Sequence, residues 1–527
     1  MVSSGRTVSR CRRSYSKVQS AAFILLLLVA VFLHGHSTKN EKLLVSAFST
    51  SIQGNHFRSS LPTSPQTALF LVNSPSQSFS TATTSDASPR SIRVERMPRL
   101  PVWPVWAGVI DFFASLLLGP EAGSKLEQYV LGGRVCPMQL DGKSASPFLL
   151  LVHHHHNFWK WDAIFRKISS LVLPEGFPAH PHRGFTTLTY FLEDGKGGGG
   201  GFVHRDSIGV KQTYGAKGSY QNQAQWLFTG SGMLHEEMFD FVQTDLGQTS
   251  YKSNYELYQL WINVPGRHKL DPPQVQLLGE TNDKKDNDAS GSMPTVVSDK
   301  TYTIDGQTLS AHSEVVVIAG SYIPCVEESD NSEQVFESQA APLHSDLCVL
   351  HVTIEETTKP TATPNAKASS TPGWVYDIPS DHDTLIVYVR KGSCTLETKC
   401  GSSISPPTPV PIHSTVFVEK QSNNGAAKEQ LVVRPVGQDE PLDLLVLSGK
   451  PLYDEQDGRV EPVAMQGSMV MNNNAQIQQA YSDYQFGQMG VPWDHELGDD
   501  EWMEHVKLTK PRMASQGTSL QDYETKR

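Results

Sequence analysis

Two short stretches, His180-Pro181-His182 and His235-Glu236-Glu237, constrain this chain more than any other part of it. Each puts two metal-ligating side chains at positions i and i+2. Side chains alternate faces along a β-strand, so each pair points to one side of its strand. Pro181 and Glu236 point to the other side, where Glu236 is expected to be exposed. Two such strands facing each other across a barrel bring three imidazoles and one carboxylate to a common point. That donor set suits a catalytic or redox divalent metal with open positions better than a closed structural site.

The rest of the chain is a plausible β-rich host. Its 527 residues, 38% hydrophobic and 19% charged, are enough for two or three domains with sizeable cores diluted by polar stretches. Frequent Gly (40) and Pro (33) favour turns and strands over helical bundles. A net charge of −11 and a pI near 5.9 leave no broad basic surface, so direct nucleic-acid binding is not expected. Cys11, Cys136, Cys325, Cys348, Cys394 and Cys400 include no CxxC pair. Cys394 and Cys400 are spaced to bridge a hairpin, but the set reads as scattered reduced thiols rather than a disulfide scaffold.

The N-terminus reads as targeting sequence. Arg6, Arg10, Arg12, Arg13 and Lys17 precede an apolar run, Ala21–Leu33, that is short for a bilayer span. Residues 1–47 therefore read as a secretory signal peptide, with cleavage expected after the small residues near Ser37 or near Ala47. Residues 48–99 are rich in Ser, Thr and Pro, hold only Asp86 and Glu95 as acids, and are expected to be disordered. They resemble a transit peptide. A signal followed by such a stretch is similar to the bipartite plastid presequences of algae with secondary plastids. The expected route is the secretory pathway and then a plastid, with a secreted or ER location as the alternative and no stable membrane span in the mature chain. Residues 100–124 form an apolar linker with a short amphipathic or docking helix near 105–118.

From about Leu126 onward the pattern is β. Short apolar runs (Pro147–Val152, Thr187–Leu192, Gln225–Phe228, Leu257–Val264) are broken by Gly and polar clusters. Residues 279–300 read as a polar linker. A second β series follows at Glu314–Ala319, Leu347–Ile354, Thr384–Val389, Thr415–Val418 and Leu442–Leu447, then a helix near Asn474–Tyr484. This predicts two β-barrels or sandwiches, residues 125–278 and 301–490, and a polar tail, 491–527. His312, His344, His351, His382 and His413 in the second form no such ligand pair, so only the first is expected to bind metal.

An ordered series of motifs adds a resemblance. Gly176-Phe177-Pro178-Ala179-His180-Pro181-His182-Arg183-Gly184-Phe185 comes first, then His204-Arg205-Asp206-Ser207-Ile208-Gly209 and Gln225-Trp226. Gly230-Ser231-Gly232-Met233-Leu234-His235-Glu236-Glu237-Met238 and Leu257-Tyr258-Gln259-Leu260-Trp261-Ile262-Asn263-Val264-Pro265 follow. Gly449-Lys450-Pro451-Leu452 and Gly467-Ser468-Met469-Val470-Met471-Asn472 complete the series less closely. The series, over roughly residues 126–490, resembles the pirin family. The resemblance implies an all-β bicupin, two double-stranded β-helix (jelly-roll) barrels. It places the metal ligands on His180, His182, His235 and Glu237, with one Fe(2+) per chain in the N-terminal cupin and other divalent metals as alternatives.

The implied activity is a quercetin 2,3-dioxygenase reaction, an oxygen-dependent ring opening of a flavonol with loss of carbon monoxide. In it Glu237 acts as the catalytic acceptor of the 3-hydroxyl proton. The alternative is a non-enzymatic, iron-dependent redox-sensing or co-regulatory module with a protein partner. A monomer is expected. Two departures from the family pattern bear on this: Thr186 stands where a glutamate usual in the family, and able to bind metal in cupins generally, is absent, and Gln221-Asn222 replaces a Pro-Gly turn. His153–Leu173 reads as an insertion and Gly197–Gly201 as a lengthened hairpin. The His153–His156 run reads as a solvated loop, His204 as a rim residue or a partner to a ligand, and Trp226 and Trp261 as core. Phe177, Phe185 and Phe228 are candidates for the apolar wall of the site.

Overall fold

Leu385–Val389 and Leu444–Leu447 show why this chain forms sheets. Unbroken runs of β-branched and bulky apolar residues need cover on both faces, which an inner strand between packed layers provides; every residue of both runs is buried. The computed structural model describes residues 88–96, 116, 119, 138–140, 144–158, 176–192, 200–214, 223–241, 253–279, 293–304, 307–325, 334–356, 373–421, 427–437 and 440–514. All of them fall in one compact unit, Ala87–Arg527.

In chain order, β1 (Ser91–Arg96) precedes the first barrel. That barrel uses β2 (Phe148–Phe158), β3 (Gly176–His182), β4 (Phe185–Leu192), β5 (Gly200–Asp206) and β6 (Lys211–Tyr214). It continues with β7 (Gln223–Phe228), β8 (Met233–Phe241), β9 (Ser253–Asn263) and β10 (Gln274–Leu278). The second barrel uses β11 (Thr295–Ile304), β12 (Gln307–Ala319), β13 (Leu347–Glu356), β14 (Trp374–Ile378) and β15 (Thr384–Lys391). Then come β16 (Cys394–Cys400), β17 (Ser414–Glu419), β18 (Glu429–Pro435) and β19 (Leu442–Gly449). A short hairpin, β20 (Ala464–Gln466) and β21 (Met469–Met471), leads to helices α1 (Asn474–Gln485) and α2 (Asp499–Ala514).

Each barrel pairs a large sheet with a smaller one. In the first, β10-β7-β4-β9-β2 plus the short strand Met138–Gln139 opposes β3-β8-β5-β6. In the second, β1-β17-β15-β19-β13-β12-β11 opposes a sheet built on β14-β18-β16. The second barrel is filled by its own apolar core, including Leu350, Val352, Leu385, Val387, Leu431, Val433 and Val446. The two large sheets also pack on each other: Leu188, Tyr190, Trp226, Tyr258 and Ile262 meet Val316, Ile318, Val349, Ile386, Leu445 and Leu447. Along β19, Leu444 and Val446 turn into the barrel while Leu445 and Leu447 face the other barrel. Each such fully buried side chain stabilises the fold by about 1.5–3 kcal/mol.

Several expectations are corrected. Residues 48–99 are not wholly disordered, because β1 pairs antiparallel with β17 as an edge strand of the second barrel. Arg90, just before it, is buried and bonded to Glu429 and to the carbonyls of His382 and Asp383. The linker over 279–300 ends early, since β11 starts at Thr295. The 491–527 stretch is not simply a polar tail: α2 buries Trp502 and Val506 in a cluster with Leu234, Met489 and Trp493. The expected helix near Asn474–Tyr484 is α1, capped by Asn473, whose side chain accepts from the Gln476 amide. No described helix is long and apolar enough to cross a membrane. The signal and transit-like residues up to 87, the 105–118 helix apart from Leu116, the Gln221-Asn222 turn and residues 159–173 of the His153–Leu173 insertion lie outside the described residues.

Candidate metal centre

β3 and β8 are hydrogen-bonded neighbours rather than opposite walls, and the pairing puts His180 directly across from His235. His182 lies across from Met233, and Phe177 across from Glu237. Between those pairs β3 carries one extra residue, a bulge at Pro178-Ala179. A bulge bends its strand and re-aims the neighbouring side chains; here His180 turns toward both His182 and His235. One nitrogen from each of the three imidazoles lies within 4.8 Å of the other two. Ring centroids are 4.5–4.7 Å apart, and the rings are tilted by 48–72°. Tilted rings let the lone pairs converge.

Glu237 is not in that cluster. Its carboxylate accepts from Thr189 Oγ1 at 3.4 Å and from Gln259 Nε2 at 3.3 Å. Burial pushes its pKa up to about 7, against the pull of those two hydrogen bonds. Burial also lowers His180 to about 4, with the Pro178 carbonyl offsetting part of the shift. His182 and His235 fall well below their usual value, first through burial and then through the neighbouring histidines. The three rings are therefore neutral at pH 7, the form that ligates metal.

The donor set fits a divalent transition ion. Nδ1 of His180 lies 2.9 Å from the Pro178 carbonyl, which can only accept, so that nitrogen holds the proton and Nε2 is bare. Nε2 of His180 faces Nε2 of His235 at 3.1 Å. Two imidazole nitrogens side by side on one metal, each about 2.0–2.1 Å from it, stand about 3 Å apart. His268, Asp271 and His344 also gather, but His268 and His344 stack at 19°. His268 already bonds Asp271 and Arg267, so that group lacks the convergence of the first.

Other expectations divide. Thr187 and Thr189 share the cavity face of β4 with Trp261 and Gln259 of β9, and Thr186 lies on the opposite face, against Ile262. A carboxylate at position 186 would point away from the imidazoles. Trp261 is not simply core: its ring lies 5.7 Å from His182, edge-on, and 4.6 Å from Phe185. Phe177 and Phe185 flank the cluster at 6.4 Å from His180 and 5.4 Å from His182, whereas Phe228 packs on His344. Trp226 is core, as expected. The His153–His156 run is part of β2 and not a loop; His153 is buried and bonded to Glu256 and Tyr388, and His154 faces Phe177. Glu236 is buried rather than exposed. It pairs with Arg205, which also reaches the carbonyls of Leu497 and His495 and sits over Trp502. Thr189 and Gln259 were not singled out in the sequence as partners of Glu237. Their parity within β4 and β9 was the available signal.

Comparison with known proteins follows the same outline. Residues 132–262 match the Pirin family model, and residues 369–490 match the Pirin C-terminal cupin domain. A pirin-like protein of Solanum lycopersicum is 27% identical over 61% of this chain and 79% of its own length. A Pseudomonas aeruginosa protein named as a candidate quercetin 2,3-dioxygenase is 27% identical over 60% of this chain and 81% of its own. A solved quercetin 2,3-dioxygenase of Acinetobacter baumannii is 21% identical and covers 77% of this chain and 96% of its own, with a TM-score of 0.41. With both family domains matched in order on two cupin barrels, and three imidazoles gathered in the first, this chain belongs to the pirin family of two-domain cupins.

Proposed function

We propose that this protein is an iron-dependent dioxygenase acting on flat, hydroxylated aromatics of the quercetin type. The observation that carries the reading is the convergence of His180, His182 and His235 beside a carboxyl group that stands apart from them. The relative named as a candidate quercetin 2,3-dioxygenase supports the substrate class. When bound there, a divalent metal with open positions supplies Lewis acidity toward a substrate hydroxyl and a partner for dioxygen. The chain's own residues do the rest. Phe177, Phe185 and Trp261 offer apolar walls for a planar ring and keep water away. Glu237 takes the hydroxyl proton on a carboxylate oxygen. Thr189 and Gln259 hold that carboxylate in place by donating to it.

The test uses the full chain loaded with iron(II). Loss of quercetin's near-UV absorption under oxygen is expected for the wild type and absent for a His180→Ala/His235→Ala protein. Equal rates in both would end the enzymatic reading. Glu237→Gln is expected to lower kcat by about 10²–10⁴, the range for a general base, while iron stays near one per chain. Loss of the iron together with the activity would instead make Glu237 a ligand.

A further inference from the structure

The His204-Arg205-Asp206 stretch gives no ligand to the three-imidazole cluster, yet His204 and Asp206 are wholly buried beside it. In β5, His204 lies across from Glu237 and Asp206 across from His235. We propose that Asp206 and His204 form a hydrogen-bond relay that holds His235 in the tautomer with a bare Nε2 and thereby sets the metal affinity of the site. The proposal rests on the metal-site reading above.

Each link follows from which atoms can donate. Oδ1 of Asp206 accepts from the amides of Ile208 at 3.0 Å and Val210 at 2.8 Å. The turn Ser207–Gly209 thus fixes the carboxylate and leaves Oδ2 pointing at His204 Nε2, 3.2 Å away. A carboxylate oxygen only accepts, so Nε2 of His204 carries its proton. In a neutral ring Nδ1 of His204 is then bare, and it faces Nδ1 of His235 at 3.4 Å. That bond requires the proton on His235 Nδ1, which leaves His235 Nε2 bare and aimed at His180 Nε2. His180 reaches the same tautomer by another route, through the Pro178 carbonyl. One ligand is oriented by the main chain and its neighbour by side chains, and only the second arrangement can be removed by substitution. Partners of this kind, one shell out from a metal, are worth about 10–100-fold in affinity.

The experiment titrates metal-stripped full-length protein with Co(2+) in competition with a chromophoric chelator and records the visible cobalt bands. His204→Phe removes the acceptor for His235 and is expected to weaken binding by about 10–100-fold and to move the bands. Asp206→Asn conserves shape but reverses the relay. Its oxygen is still needed by the Ile208 and Val210 amides, so its NH₂ faces His204 Nε2 and drives the proton to Nδ1. It is expected to bind Co(2+) as poorly as His204→Phe. His204→Gln, whose amide oxygen can still accept from His235, is expected to bind close to wild type. Wild-type affinity in both His204→Phe and Asp206→Asn would overturn the relay. So would His204→Gln as weak as His204→Phe, since that is the result a packing role gives. A wild-type protein that takes no Co(2+) would remove the metal site itself, an outcome distinct from failure of the relay.

Discussion

Gly184, two residues beyond His182, shows how tightly single positions are set around the cluster. Its φ is +85°, and a Cβ there would lie 2.0 Å from the Val470 carbonyl oxygen. That oxygen belongs to β21, which runs past the Arg183-Gly184 turn and bonds back to it through the Val470 amide. Gly184→Ala is therefore expected to cost about 1–3 kcal/mol from the backbone conformation alone, and more because β21 must move. It should also lower metal occupancy, since the turn carries His182. Thermal melting and metal analysis of the purified variant check this; a wild-type melt would show that the turn tolerates a side chain. At this scale the sequence was partly legible. The i,i+2 spacing put His180 and His182 on one side of their strand, because strand parity is a local property; that His235 joins them comes from the pairing of β3 with β8. The withdrawal of Glu237 was not legible. It rests on Thr189 and Gln259 from two other strands, and parity within β4 and β9 gives the face of each residue but not that Glu237 meets them. Thr186, which departs from the family pattern, proves to face away from the site, so its substitution takes no donor from the cluster.

β1 makes the same point for whole elements. Ser91-Ile92-Arg93-Val94-Glu95-Arg96 alternates apolar and polar residues, and Ile92 and Val94 pack on the second barrel's core. The six residues are hidden in a long Ser-, Thr- and Pro-rich stretch whose average composition argues for disorder, so a window wide enough to read composition erases them. The strand covers the free edge of β17, and Arg90 adds a buried pair with Glu429. A protein lacking residues 1–87 is thus expected to melt above one lacking residues 1–99. The second deletion should also aggregate more readily, because it opens a paired sheet edge. Melting curves and light scattering on the two proteins settle the comparison, and identical behaviour would mean that β1 contributes nothing. α2 was missed for a related reason. Its many charged residues dominate its composition, whereas its buried apolar anchors, Trp502 and Val506, are few.

Across the whole molecule the two barrels stand back to back, and their shared layer is not purely apolar. Arg390 bridges Asp443 of its own barrel and Glu256 of the other, at 2.8 Å to the latter. His351 links Asp443 at 3.1 Å to Tyr190 across the interface at 2.9 Å, and His153 links Glu256 at 2.7 Å to Tyr388 at 2.9 Å. The chain of contacts is closed, which is what buried charges require. Burial by itself would raise Asp443, but His351 and Arg390 outweigh it and hold the carboxyl well below the usual carboxylate range. Its folded pKa thus lies below its unfolded one, near 3.9. A group shifted in that direction contributes stability that is present above pH 4 and is lost as pH falls below it, because the unfolded chain then binds the proton more readily. Asp443→Asn should remove that dependence while leaving Arg390 without its main counter-charge. The variant is expected to be less stable by about 3–5 kcal/mol at pH 7, the range for a broken buried ion pair. Its stability should also fall less steeply than that of wild type between pH 4 and pH 3. Denaturant unfolding at a series of pH values measures both effects. Parallel acid limbs would mean that the proton taken up on acid unfolding goes to a group other than Asp443.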